Sequence, residues 1–490
     1  MDNRFVSTRG NGGRPDLFQA ILQGMGTDGG LLVPDFPLAV PSLSSLQGLP
    51  YARLTSTLIA TFAPAGSEDV IANACNRAYA TGAFPQEVVP VVPAGDVWVA
   101  ELFHGPTAAF KDMALQLLPH LMTTSLRRCG DARRALILAA TSGDTGKAAL
   151  AGFADVEGTL IKVFYPQDGV SPVQQRQMTT QTGRNVDVVA VRGNFDDAQR
   201  AVKEAFASNE LAAVCADKGV FLTSANSINI GRLLPQIVYY FHAYLTLAAR
   251  GALTLGDAID FVVPSGNFGN CLAGVMARRM GLPVRRFIIA SNRNNVLTDF
   301  FQTGCYDIRR PFYKTNAPAM DILVSSNLER LLCMLDGDAA LTAHRMQALA
   351  TEGFYRIGKE QQSALRSLFT AGWQSEEEVL ATIRRCYHDT GYLSDTHTAV
   401  ALGVAAQCRR DGDATPTVVL ATASPYKFPA SVCRAVLDKT LPDAEAMEAL
   451  HATTGVPVPP CLADVMSRPV IHTSVTEPSH IISYIKGTLH

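Results

Sequence analysis

Three stretches of this chain carry residues whose types and spacing could do chemistry. The first is Glu101-Leu102-Phe103-His104-Gly105-Pro106-Thr107-Ala108-Ala109-Phe110-Lys111-Asp112. Lys111 stands there at the entrance of a helix whose face is marked by Met113, Leu117, Leu121 and Met122, with a kink expected at Pro119. A surface lysine is the plain reading. Behind Ala108, Ala109 and Phe110, however, the amine is partly desolvated, which lowers its pKa toward the neutral nucleophile that forms Schiff bases. The other two stretches are Ser265-Gly266-Asn267-Phe268-Gly269-Asn270 and Thr141-Ser142-Gly143-Asp144-Thr145-Gly146. Glycines let an anion approach the backbone, and a helix N-terminus offers it free N–H groups and partial positive charge. Either loop alone reads equally well as an ordinary strand-to-helix turn. Neither is a nucleotide fingerprint: Gly143 and Gly146 are too close for GxxxxGK[ST], and Ser265–Asn270 is not GxGxxG. A Schiff-base lysine with a separate phosphate cradle points to pyridoxal phosphate, whose aldehyde needs the amine and whose ring is an electron sink.

The elements that must position these loops follow a strand–loop–helix rhythm from about residue 95. Ala135–Ala140 and Ile259–Val263 are apolar throughout, as strands buried on both faces of a parallel sheet must be. Each is followed by one of the glycine-containing loops and then a helical run. Further short strands are expected at Val284–Ala290 and Val418–Ala421. This alternation predicts an α/β fold with mostly parallel strands. Residues 1–92 read as a separate helical and loop-rich segment ending in the proline-bearing junction Phe84–Pro90. Residues 93–320 carry the ligand-binding α/β part, 321–390 read as a helical insertion, and 391–490 are expected to complete the larger lobe.

The chain has 490 residues, 47% hydrophobic and 18% charged, with a formal net charge of −2. That balance suits a globular enzyme with a large core and argues against nucleic acid or a membrane surface as partner. No apolar run is long enough to span a bilayer. The start, Met1–Phe5, lacks a signal-peptide pattern, and the 10 cysteines are scattered without zinc or disulfide spacing. No metal site is expected, and a cytoplasmic enzyme acting as a monomer or homodimer is.

Glu101–Asp112 resembles the signature around the cofactor lysine of threonine synthase, a pyridoxal-phosphate family of fold type II (the tryptophan-synthase-β superfamily). The resemblance runs nearly end to end: Ser7–Gly10, Asp28–Leu31, Ser142–Gly146, Asn226–Asn229 with Arg232 and Pro235-Gln236, Ser265–Asn270, Pro318–Ile322 with Ser326-Asn327, Asp395 with His397–Ala399, and Thr422-Ala423 with Pro425 and Lys427–Pro429. It implies two open, twisted, mostly parallel sheet lobes with an N-terminal segment and a helical insertion, as in the microbial and fungal branch. It implies that O-phospho-L-homoserine and water become L-threonine and phosphate by β,γ-elimination and replacement, the last step of threonine biosynthesis. Lys111 would form the Schiff base, and Ser265, Gly266, Asn267, Phe268, Gly269 and Asn270 would hold the cofactor phosphate. Thr422 would meet the pyridine nitrogen. Ser142, Gly143 and Thr145 would bind the substrate carboxylate, with Asp144 near the cofactor 3′-oxygen. Asn226, Ser227, Asn229 and Arg232 are candidates for the substrate phosphate, although Asn and Ser there also read as helix caps.

The chain departs from the family pattern at Ser424 (histidine expected), Tyr426 (alanine), Thr396 (proline) and Lys147 (a small residue). These bear on pocket polarity and substrate fit. Two rival readings stand beside the first: a phospho-lyase or amino-acid dehydratase releasing a 2-keto acid, and a non-catalytic phosphometabolite-binding protein.

Overall fold

The computed structural model describes residues 3–38, 41–80, 82–141, 143–167, 170–409 and 412–489. Two sheets organise it. The larger has six strands in the order Phe369–Trp373, Val284–Ser291, Ile259–Pro264, Thr417–Ala421, Val97–Glu101 and Val91–Ala94. Its first five strands run parallel, and the last is antiparallel to its neighbour. The smaller sheet is wholly parallel, in the order Ser474–Thr476, Val186–Val191, Thr159–Pro166, Arg134–Ala140 and Val220–Thr223. Ile259–Pro264 and Thr417–Ala421 are buried at every position, which is why their sequences are almost wholly apolar. Among the described residues no helix is long and apolar enough to cross a membrane.

Residues 3–79 form a short hairpin, Phe5–Ser7 against Leu32–Pro34, with the helices Leu17–Gln23, Tyr51–Ala60 and Glu68–Tyr79. The long helix Ile230–Ala249 is buried over most of its surface and packs against both this segment and the helix Gly269–Arg279. The kink expected at Pro119 is instead a break. The helices Asp112–Leu115 and Leu118–Arg128 are separate, and Pro119 lies in the first turn of the second, where a missing N–H costs nothing.

Two boundary expectations change. The 321–390 segment holds four helices, Leu328–Asp336, Ala339–Glu352, Lys359–Leu368 and Glu376–Thr390, but it is not purely helical. Phe369–Trp373 leaves it to become the edge strand of the large sheet, with Phe369 opposite Phe287 and their rings 5.9 Å apart. The 391–490 segment does not serve the large lobe alone. Ser474–Thr476 crosses to the small sheet beside Val186–Val191, and Ile481 and Ile485 of the following helix enter that lobe's core.

Candidate active site

The carboxyl ends of three adjacent parallel strands of the large sheet supply three pieces of one site, as expected in open α/β sheets. Ile259–Pro264 leads into the Ser265–Asn270 turn, Thr417–Ala421 leads into Thr422, and Val97–Glu101 leads into the Lys111 loop. That loop is strapped across the middle strand by backbone bonds. The Leu102 N–H donates to the Ala421 carbonyl at 3.0 Å, Phe110 N–H to Thr422 at 2.8 Å, and Ser424 N–H to Ala108 at 3.1 Å. Asp112 ties the loop internally, accepting from Thr107 N–H at 2.8 Å and Thr107 Oγ1 at 2.6 Å. Burial pushes the Asp112 carboxyl up to about 6, against those hydrogen bonds. In the small sheet Arg134–Ala140 and Val220–Thr223 are parallel neighbours, so Asp144 and the 224–229 turn both follow the carboxyl ends of adjacent strands.

The two sheets meet through charge. Lys111 Nζ lies 3.5 Å from Asp144 Oδ2, and its side chain is only 12% exposed. Lys427, wholly buried, places Nζ 2.9 Å from Asp144 Oδ1 and 2.6 Å from Gln177 Oε1, and donates to the Thr107 carbonyl at 3.2 Å. Gln174 Nε2 donates to Asp144 Oδ1 at 2.9 Å. Burial lowers the Lys111 pKa; Asp144 opposes that shift, while the positive charges of Arg232 and Lys427 add to it. Burial works to raise the Asp144 carboxyl, but Lys427, Lys111 and Gln174 overcome it and hold the group well below the usual carboxylate range. Burial also brings the Arg232 guanidinium down to about 10, and its Nη1 donates to the Ala225 carbonyl at 2.9 Å. Lys111 and Lys427 therefore share the single carboxylate of Asp144, with Arg232 adding positive potential at Lys111, a field that favours anionic ligands.

The Ser265–Asn270 turn has the chemistry of a phosphate cradle. Asn270 Oδ1 accepts from the Tyr239 hydroxyl at 2.7 Å and the Tyr240 hydroxyl at 3.0 Å, which leaves Nδ2 as the free end of the amide. That Nδ2 and Ser265 Oγ are buried without a protein partner. A Cβ on Gly266 would sit 2.8 Å from the Ala319 carbonyl oxygen, so only glycine fits against that backbone wall. Phe268 holds a left-handed φ of 61°, fixed by its ring packing 5.8 Å from Phe301 and 6.2 Å from Phe369. The turn ends at the N-terminus of the helix Gly269–Arg279 and contains no acidic residue. Unpaired donors, a backbone cradle and a helix N-terminus fit the phosphate of pyridoxal phosphate, with Lys111 and Thr422 fixed nearby by the Phe110–Thr422 bond.

Lys111 meets Asp144 within the reach of the Arg232 charge, Thr422 is bonded to the residue before Lys111, and the Ser265–Asn270 turn follows the strand next to the one that ends at Thr422. Gly143 has φ 153°, and Thr145 is half-buried in the first turn of the helix Asp144–Phe153. Ser142 lies outside the described residues. Asn226 and Ser227 are half-buried, with Ser227 Oγ 3.5 Å from Ser326 Oγ. The Asn267 side chain is exposed and meets Ser326 Oγ at 3.5 Å, while the Phe268 ring enters the aromatic core, so Phe268 offers backbone alone. Asn229 is corrected. Its Nδ2 donates to Ile21 and Ser224 carbonyls at 3.0 and 3.3 Å, and its Oδ1 accepts from Gly231 N–H at 2.9 Å. Those bonds make it a helix cap with no donor left for a phosphate. Sequence reasoning gave no role to Lys427, Gln174 or Gln177. For Lys427 a signal was present, since Pro425, Tyr426, Phe428 and Pro429 enclose it as apolar residues enclose Lys111. Of the departures, Ser424 caps its turn through Tyr426 N–H, and the buried Tyr426 hydroxyl donates to the Val456 carbonyl at 2.6 Å. Thr396 is buried 3.5 Å from His397 Nδ1, and Lys147 donates to Gln181 Oε1.

Three family models match the chain in order. They are threonine synthase N terminus over residues 4–79, pyridoxal-phosphate dependent enzyme over 89–354, and threonine synthase, C-terminal, over 398–485. The sequence is 40% identical to a threonine synthase of Pseudomonas aeruginosa, across 88% of this chain and 90% of that one. It is 38% identical to the human protein named threonine synthase-like 1, across 88% of this chain but only 59% of that longer one. The crystal structure of pyridoxal-phosphate-bound threonine synthase from Brucella melitensis superposes with a TM-score of 0.88 at 37% identity, covering 99% of both chains.

Proposed function

The chain belongs to the threonine synthase family, and from that premise we propose how its own residues carry the reaction. It is a pyridoxal-phosphate-dependent enzyme that converts O-phospho-L-homoserine and water to L-threonine and inorganic phosphate. When bound, the cofactor supplies an electron sink that acidifies protons on carbons next to the substrate amine.

In this reading Lys111 Nζ is the proton carrier. Its lowered pKa favours the uncharged amine, which takes the proton from Cα, passes it on to the electron sink that the cofactor would supply, and so regains the lone pair that takes one from Cβ as phosphate leaves Cγ. Asp144 stays ionised and orients Lys111, while Lys427 holds Asp144 and disfavours a second positive charge at Lys111. The backbone of Gly143 and Thr145 binds the substrate carboxylate at a helix N-terminus. Arg232, Asn226 and Ser227 grip the leaving phosphate, and the cradle Ser265–Asn270 with Thr422 holds the cofactor. The enclosure of Lys111 keeps bulk water from the reacting carbons until one molecule adds at Cβ. We further propose that the reaction runs in the cytoplasm, in a monomer or homodimer acting on a small phosphorylated amino acid, with neither nucleic acid nor membrane as partner.

The observation that carries this reading is the 3.5 Å contact between the buried Lys111 amine and Asp144, which joins the working ends of both sheets. Lys111→Ala should lower threonine formation from phosphohomoserine by at least about 10³-fold. Near-normal threonine and phosphate release by that variant would refute the assignment. Release of 2-oxobutyrate in place of threonine by the unmodified enzyme would favour the phospho-lyase reading.

A further inference from the structure

Behind the two phosphate-binding turns lies a six-residue segment, Ser325–Arg330, to which the reaction above gives no role. Asn327, fully buried, donates from Nδ2 to two backbone carbonyls, those of Asn267 at 3.1 Å and Ser227 at 3.2 Å, and from its own N–H to Asn267 at 3.1 Å. One belongs to the cofactor-phosphate turn and the other to the substrate-phosphate turn. The Asn327 amide is itself held by Arg330, whose Nη1 donates to Oδ1 at 2.6 Å. The same guanidinium, fully buried and bonded to neutral oxygens alone, donates from Nη2 to the Ile228 carbonyl and from Nε to Leu32 in the N-terminal hairpin at 2.9 Å. Ser325 Oγ adds a bond to the Gly266 carbonyl at 2.7 Å. In a planar trans peptide the N–H of the next residue points opposite to the carbonyl. Tethering the carbonyls of Gly266, Asn267 and Ser227 from behind therefore turns the N–H groups of Asn267, Phe268 and Ile228 away from the bracket.

We infer that Asn327, locked by Arg330, is a positioning residue that gives the cofactor-phosphate turn and the substrate-phosphate turn one shared support, fixing the two phosphates relative to each other. This rests on the assignment of those turns above. It goes beyond it, because the reaction proposed above gives neither residue a part in holding a ligand.

The test uses Asn327→Leu, which removes the Nδ2 donors without adding charge beside the phosphates, with Asn327→Ala as a second variant. Pyridoxal phosphate binding to the apoprotein is followed by absorbance. KM and kcat for phosphohomoserine are then measured at saturating cofactor, with the apoprotein thermal midpoint as control. Both affinities should fall together, each by about 10- to 100-fold, on the scale typical of coupled sites, while kcat changes by less than about 3-fold. Arg232→Lys, which perturbs one turn, should raise KM and leave cofactor affinity unchanged. The inference is overturned if a variant with the parent midpoint keeps both affinities, if just one of the two falls, or if kcat falls with KM unchanged. Failure of the parent apoprotein to bind pyridoxal phosphate would instead sink the function proposed above.

Discussion

Lys427→Met removes a charge that favours an ionised Asp144 and disfavours a proton on Lys111, while preserving side-chain length in a fully buried slot. At 2.9 Å the pair attracts by roughly 6 kcal/mol at an effective dielectric of about 20. Desolvation cancels much of that, and breaking a buried pair typically costs about 3–5 kcal/mol. Asp144 keeps Lys111 at 3.5 Å and Gln174 at 2.9 Å, so the loss should fall near the lower figure. It should appear as a reduced denaturation midpoint. The second effect is electrostatic and has a definite sign. Lys427 disfavours a proton on Lys111, so its removal raises the Lys111 pKa and shrinks the neutral fraction at pH 7. In the apoprotein, acylation of Lys111 by an amine-directed reagent, followed by peptide mass spectrometry across pH, should show its midpoint displaced to higher pH. Turnover at pH 7 should fall and recover in part as the pH rises. A folded variant whose Lys111 reacts with an unchanged or lower midpoint would refute the reasoning, whatever its turnover.

Ser265→Ala removes a buried hydroxyl that has no protein partner, so apoprotein stability should hold or rise by up to about 1 kcal/mol while pyridoxal phosphate affinity drops about 10-fold. Denaturant melts and cofactor titration read the two effects separately. Asn270→Ala should lose on both counts, but by no more than about 1 kcal/mol in stability, because the Tyr239 and Tyr240 hydroxyls lose Oδ1 yet keep Gln236 Oε1 and the residue-270 carbonyl as acceptors. Lys147 has its pKa brought from 10.5 down to about 8, chiefly by burial, with Lys427 adding to the shift. Between those values the unfolded chain binds more protons than the folded one, so stability should climb with pH across that window. Lys147→Met should flatten the climb and stabilise the protein at pH 7 by about 2 kcal/mol, after allowing for the lost bond to Gln181. Denaturation curves from pH 7 to 10.5 check it.

How far the sequence could be read depended on whether the deciding partner was local. Ile259–Val263 can lie nowhere but inside a sheet covered on both faces, and the loop that follows it has little choice but to end at that sheet's carboxyl edge. Lys111 was legible for the same reason, since its apolar neighbours adjoin it in sequence. Asp144, the partner of Lys427, comes from the other sheet, so enclosure by Tyr426 and Phe428 could hint at desolvation but not at purpose. For Asn229, cap and phosphate ligand need the same amide, and the carbonyl that decides between them is Ile21, from the N-terminal segment. Phe369–Trp373 has a helix on either side and too few residues to show a period of its own, so its pairing with Val284–Ser291 had no sequence signature.

The same locality sets the relation between stability and binding. Ser265 Oγ, Asn270 Nδ2 and Arg232 Nε are each buried without a protein partner, at a cost of about 1–3 kcal/mol apiece. Lys111, Lys427 and Arg232 add mutual repulsion that Asp144 alone does not cancel. A phosphate at each turn relieves both kinds of cost, the cofactor's supplying acceptors to Ser265 and Asn270 and the substrate's to Arg232, and each brings negative charge to the surplus cations. Stability that the apoprotein forgoes at this site thus returns as ligand affinity and as a melting point that climbs with cofactor concentration. By this argument, substitutions that quiet the empty site, Ser265→Ala first among them, must weaken binding, whereas Lys147→Met, which unburdens a charge bonded to Gln181, should stabilise the fold without that penalty.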